Sequence, residues 1–211
     1  MHPPRYAPGK YTRTKVLIIV QLCYNGFQYD LWNRHRNLEK RAMMEAYLEV
    51  LEKGYFEAKE AFGGLADENV WKRPAAGLLS IGELAGHLAY WQAVKLAGEG
   101  GEPEPDLAKC RVSSLLIDSR FRYHPTSTTH PPSEEYLAMT AEQVCRELLR
   151  VHQESVADFK ARNPDLNTCP PGWPPNYTYR AFLTYAAFHV AYHTGQIYTA
   201  RYLLGEETPD N

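Results

Sequence analysis

The chain has 211 residues, of which 44% are apolar and 23% are charged, and its formal net charge is −2. These values are typical of one globular domain with an extension, and they exclude wholesale disorder. The slightly acidic balance argues against nucleic acid as a partner, because nucleic-acid-binding domains are usually basic. The four cysteines, at positions 23, 110, 145 and 169, have no C-x-x-C spacing, which predicts free thiols in a reducing compartment.

The first part of the chain differs in charge from the rest. Residues 1–41 carry eight Lys or Arg and two Asp or Glu, whereas the remainder carries fifteen and twenty-three. Residues 1–37 also contain several prolines and show no helical period, so we predict a basic, poorly ordered extension before a domain over 38–211. An alternative is that translation starts at Met43 or Met44 and that the preceding residues are not part of the native protein.

A short apolar run over residues 16–20 follows several basic residues. The run is far shorter than the ~20 residues that cross a bilayer. No small-residue cleavage site follows it, although a signal peptide requires one. We therefore expect no membrane partner and no secretion, and we predict a cytoplasmic protein.

Four segments with helical periodicity follow the extension. Two residue pairs match capping boxes: Ser80 with Glu83, and Thr140 with Gln143. In a capping box, each side chain accepts a hydrogen bond from the backbone N–H of the other residue. Thr178 is a further helix-capping residue. The predicted helices cover residues 38–62, 80–98, 140–162 and 178–204.

The connections between these helices are unequal in length. About 40 proline-rich residues separate the second and third helices, and a long crossover of this kind lets two consecutive helices run parallel. The pattern shows neither alternating strands nor a fixed repeat. We therefore predict an all-α fold, most simply a four-helix bundle with a long crossover between its second and third helices.

Three histidines are predicted to point into the bundle. His87 lies on the apolar stripe of the second helix, and His189 and His193 lie one turn apart on the stripe of the fourth. A buried imidazole needs partners for both ring nitrogens, and one divalent metal ion satisfies one nitrogen of each ring. Three ligands also leave coordination positions open, as in catalytic sites. An H-x-x-x-H pair on a helix often binds no metal. The alternative to a metal site is therefore three histidines that are solvated or packed in the core.

Two segments make the chain resemble the DinB/YfiT-like superfamily: SIGELAGHL at 80–88, and HVAYHTGQI at 189–197 followed by RYLLG. The resemblance covers about residues 40–205, and the extension has no counterpart in it. It implies an up-down-down-up four-helix bundle, often a homodimer. It also implies that His87, His189 and His193 bind a divalent metal, with zinc or nickel expected. The superfamily includes S-transferases and isomerases that use low-molecular-weight thiols.

The resemblance favours a metal-dependent transferase that adds a low-molecular-weight thiol to a small electrophilic substrate. The alternatives are a metal-dependent hydrolase on the same three histidines, and a non-catalytic, stress-associated metal-binding dimer. Glu83 is the candidate catalytic carboxylate, although capping competes for it. Gln196 is the second candidate, and it would hold the substrate or a metal-bound water. The structural alternative is that Gln196 only makes a hydrogen bond across the bundle. His152 is expected to face the surface, and His124 and His130 are expected to be loop residues.

Overall fold

The computed structural model describes residues 13–98, 105–122 and 133–208, with only the backbone described for 13–34 and 37. Every regular element in these ranges is helical, which confirms the all-α prediction for them. A π-helical turn, Ala93–Ala97, continues the third helix, and 3-10 turns occur at Leu107–Lys109 and Ser119–Phe121. The α-helices are α1 (Arg13–Glu60), α2 (Asp67–Val70), α3 (Ile81–Gln92), α4 (Glu134–Leu137), α5 (Ala141–Arg162) and α6 (Tyr179–Leu203).

The predicted capping boxes are present at the starts of α3 and α5. The Ser80 hydroxyl accepts from the backbone N–H of Glu83, and the Glu83 carboxylate accepts from the backbone N–H of Ser80. Thr140 and Gln143 make the same reciprocal pair at α5. Because these bonds join residues three apart, the local sequence is sufficient to specify where both helices begin.

Helix α1 begins at Arg13, well before the start near Leu38 that periodicity predicts. Periodicity reveals a helix only where apolar residues recur on one face, and the sequence of residues 13–37 shows no such period. The chain divides into two compact units, Met1–Ala42 and Met43–Asn211. Residues 1–12 lie outside the described part, and a separate extension over 1–37 stays a prediction.

One apolar core in the second unit draws on the four long helices. Its members come from the C-terminal half of α1 and from α3, α5 and α6. They include Leu48, Leu51, Leu84, Leu88, Val144, Leu148, Leu183 and Ile197, each at most 3% exposed. Burial of these side chains brings α3 and α6 together, and this packing positions the site.

The connection between α3 and α5 packs on α3 through a smaller cluster of Tyr90, Val94, Phe121 and Tyr136. The Tyr136 hydroxyl donates to the Asp118 carboxylate at 2.6 Å, which ties α4 to the preceding 3-10 turn. This segment therefore lies against the helix that carries the first histidine.

Two composition-based expectations can be compared with the described residues. Cys110, Cys145 and Cys169 are free thiols, as predicted, and the side chain of Cys23 is not described. Within residues 13–98, 105–122 and 133–208, no helix combines the length and apolarity needed to span a membrane.

Candidate metal centre

The three histidines predicted to point inward are buried and close together. His87 lies one turn after the capping box of α3, and His189 and His193 lie one turn apart on α6. Their exposed fractions are 7%, 9% and 2%. Packing of α3 on α6 therefore brings the three rings into one cluster, as the helical stripes predict.

The ring nitrogens have the spacing of ligands to one ion. The Nε2 atom of His189 lies 3.1 Å from Nε2 of His87 and 3.0 Å from Nε2 of His193. Nitrogens that lie 2.0–2.1 Å from one metal, at angles of about 90–110°, are about 2.8–3.4 Å apart. The donor set therefore fits, and the three buried histidines could hold a divalent metal ion.

The outer nitrogens of two rings are held by groups that only accept hydrogen bonds. The Nδ1 atom of His87 lies 2.7 Å from the backbone oxygen of Phe121, and Nδ1 of His193 lies 2.6 Å from Oε1 of Gln196. Both Nδ1 atoms must therefore carry the hydrogen and donate it. In this tautomer, the Nε2 lone pairs of His87 and His193 are directed at the centre of the cluster. Metal binding through Nε2 requires the same tautomer.

Hydrogen bonds among the three rings cannot satisfy all three Nε2 atoms at once. Both close Nε2 contacts share the Nε2 atom of His189. A hydrogen on that nitrogen can be donated to His87 or to His193, and the lone pair of the other ring then faces a nitrogen whose hydrogen is already used. A cation that accepts all three lone pairs removes the conflict, so the donor geometry itself favours a metal.

A glycine lets the crossover approach His87. A Cβ atom on Gly86 would lie 2.7 Å from the ring of Phe121, including its Cγ atom. Only glycine allows the Phe121 ring to lie so close to α3, with its backbone oxygen in reach of His87. Sequence analysis missed Phe121, because a backbone carbonyl leaves no signal in the residue types.

Glu83 is buried one turn before His87, and its two oxygens are occupied by other groups. It accepts from the backbone N–H of Ser80 at 2.8 Å and from the Arg73 guanidinium through both oxygens, with the shortest contact at 2.5 Å. The capping role is therefore present, and an ion pair with Arg73 is added to it. These bonds leave the carboxylate poorly placed to act as a base.

Among the described residues, Gln196 makes hydrogen bonds within its own helix rather than across the bundle. It contacts His193 on its own helix, and its amide nitrogen donates to the Tyr192 hydroxyl at 3.2 Å. A direct catalytic role for Gln196 stays a prediction, and the observed contact is with a candidate metal ligand.

A cavity of about 540 Å³ opens beside the histidine cluster. His87 and His189 form part of its wall, and neither Glu83 nor Gln196 lines it. The remaining lining is largely aromatic and includes two cationic side chains. These residues are Trp91, Lys95, Arg122, Trp173, Asn176, Tyr177, Ala181, Phe182 and Tyr185.

The other histidines do not join this cluster within the described residues. His152 is 1% exposed, so its expected position toward the surface is wrong. Its Nδ1 atom lies 2.9 Å from Gln92, and its ring stacks on Tyr55 at 3.8 Å. Burial lowers the pKa of His152 more than the nearby Glu52 carboxylate raises it. His124 and His130 lie outside the described residues.

Comparison with known proteins identifies a family. The model of the DinB superfamily matches residues 51–197, which is more than half of the chain and includes all three clustered histidines. No curated protein and no solved structure matches the chain. With this match and the geometry of the histidine cluster, the chain belongs to the DinB superfamily.

Proposed function

We propose that the protein is a divalent-metal-dependent transferase that joins a low-molecular-weight thiol to a small electrophilic substrate. The observation that carries the proposal is the convergence of three Nε2 atoms at a cavity large enough for a small molecule. His87, His189 and His193 would hold the ion, which we expect to be zinc or nickel.

When bound, a divalent ion supplies positive charge that favours a thiolate over a thiol at neutral pH. In the proposed reaction the thiol sulfur forms a bond to the electrophilic carbon with its own electron pair. The leaving group departs with the electrons of its bond to that carbon, and the thiol proton passes to water. The protein's residues hold the ligands in one tautomer, and the aromatic walls of the cavity bind the apolar part of the substrate.

Two features favour thiol transfer over the alternatives. A hydrolase needs a base to activate water, and no Asp or Glu is among the described residues that line the cavity beside the histidines. Glu83, the candidate base, is bonded to Ser80 and Arg73. A purely structural metal site would be closed by a fourth protein ligand, whereas this cluster contains three residues next to a cavity.

The proposal also includes properties implied by the likeness to the DinB/YfiT-like superfamily. These are the up-down-down-up order of α1, α3, α5 and α6 and assembly as a homodimer. A cytoplasmic location is proposed from the free thiols. Light scattering of the purified chain tests the dimer, and a monomeric mass at micromolar concentration would contradict it.

The experiment that tests the function measures metal and transfer together. Tag-free protein is compared with His189→Ala, which removes the central ligand, and with His35→Ala, which removes a histidine side chain that is 73% exposed. Mass spectrometry should find about one ion per chain in the wild type and in His35→Ala, and almost none in His189→Ala. Thiol consumption with a chromogenic aryl halide should follow the same order.

Two results would contradict the proposal. Wild-type protein that takes up neither zinc nor nickel would exclude a metal-dependent reaction at this cluster. Full metal occupancy with no transfer from any of several thiols, together with ester hydrolysis that depends on His189, would favour the hydrolase instead.

A further inference from the structure

The lining of the cavity beside the histidines combines aromatic rings with positive charge. Five of its described lining residues are aromatic, two are cationic and none is acidic. Its volume of about 540 Å³ lies in the range of small-molecule sites. The ring faces favour a flat, apolar ligand, whereas the charges are unsuited to a cation.

Lys95 is held against three of these rings. Its Nζ atom lies 4.2 Å from the ring centre of Tyr185, 4.9 Å from that of Trp91 and 5.8 Å from that of Phe182. The contacts keep the ammonium group at the wall of the cavity. Lys95 also lies in the π-helical turn that continues α3, and turns of this type are frequent at functional sites.

A second donor lies on the loop between α5 and α6. The indole N–H of Trp173 is buried and has no hydrogen-bond partner among the described residues. The ring is fixed by an edge contact with Phe182, at 4.6 Å between centroids. A buried donor without a partner is costly, so a ligand that brings an acceptor oxygen to Trp173 gains the bond that the protein leaves open.

We infer that this cavity binds a small aromatic carboxylate, with its acid group toward Lys95, Arg122 and Trp173 and its ring against the aromatic walls. Ammonium, guanidinium and indole groups only donate hydrogen bonds, so a ligand that bonds to them needs acceptor oxygens, which a carboxylate has. That this ligand is the electrophilic substrate rests on the proposed function, whereas the binding itself depends only on the cavity.

The test compares two ligands of almost equal size, 2-naphthoate and the neutral 2-naphthamide. Calorimetry measures their binding to the full chain at pH 8, both after chelator treatment and after loading with zinc. We expect the acid to bind metal-free protein at least tenfold more tightly than the amide. Lys95→Gln should reduce the affinity for the acid about tenfold and leave that for the amide unchanged. Lys53→Gln, which alters a lysine side chain that is 75% exposed, should change neither affinity.

A second variant covers the case in which Lys95→Gln fails to fold. Trp173→Phe keeps an aromatic ring but removes the N–H donor and part of the ring area. The lost ring area affects both ligands, so the loss of the donor should weaken acid binding more than amide binding. Equal affinities for acid and amide in metal-free protein would overturn the inference. So would a preference for the acid that appears only with zinc and disappears in His189→Ala, because the acid would then bind the ion. A chain that binds the acid but no metal would instead contradict the proposed function alone.

Discussion

The hydrogen bond from His193 to Gln196 gives the sharpest test of the metal centre. Gln196→Ala removes the oxygen that lies 2.6 Å from Nδ1 of His193, and it leaves the three histidines unchanged. Loss of such a partner frees the ring to rotate and to change tautomer. We therefore expect Gln196→Ala to bind zinc more weakly than the wild type, with little change in the fold.

The size of the effect follows from one short, partly buried hydrogen bond. A neutral bond contributes about 0.5–1.5 kcal/mol and a bond to a charged group about 1.5–3 kcal/mol. An imidazole polarised by a cation resembles the second case, so a loss of about 1.4–2.7 kcal/mol is expected. This corresponds to roughly 10–100-fold in the dissociation constant for zinc.

Competition with a chromophoric chelator at pH 7.5 measures that constant. Gln196→Glu keeps an acceptor oxygen and should bind zinc within about threefold of the wild type, or more tightly. Gln92→Ala is the matched control, because Gln92 bonds His152, which lies outside the cluster. Equal zinc affinities for Gln196→Ala and Gln92→Ala would refute the view that this contact orients a ligand.

Two further predictions concern stability. Gly195→Ala should raise the free energy of unfolding by about 0.5–1 kcal/mol, because alanine favours a helix over glycine and the added methyl group meets open space. Gly86→Ala should lower the free energy of unfolding by about 1–2 kcal/mol, because its methyl group would overlap the Phe121 ring. Denaturant titration checks both, and a stabilised Gly86→Ala would contradict the close approach. The pKa of buried His152 is lowered in the folded chain, so as the pH falls the unfolded chain binds a proton at His152 before the folded chain does. Stability is then intact above about pH 6.5 and is lost toward the folded-state pKa, by at most about 1.4 kcal/mol per pH unit. His152→Gln should show a shallower loss between pH 8 and pH 5, and equal slopes for the two proteins would contradict this assignment.

The helix starts and the histidine cluster could be predicted because their causes are local. A capping box joins residues three apart, so the types of Ser80 and Glu83 are sufficient to mark the start of α3. The rings of His189 and His193 share a face because α-helical side chains four apart lie one above the other. The apolar stripes of α3 and α6 also predict that these faces meet.

Other features were decided by packing between distant segments. Phe121 reaches His87 across 34 residues of sequence, and it does so with a backbone oxygen that every residue type possesses. Residue types alone leave Glu83 as either a capping residue or a candidate base, and its ion pair with Arg73 forms only in the folded chain. The burial of His152 likewise depends on Tyr55, from a helix far away in the chain.

Helical period and capping act within one or two turns, so residue types are sufficient to predict an all-helical chain with three inward-facing histidines. How the donors are used depends instead on the tertiary structure. It closes the outer nitrogen of His87, engages Glu83 with Arg73 away from the cavity, and brings Lys95 and Trp173 to one wall. These contacts form between elements that approach only when the shared core is buried, so no local pattern encodes them.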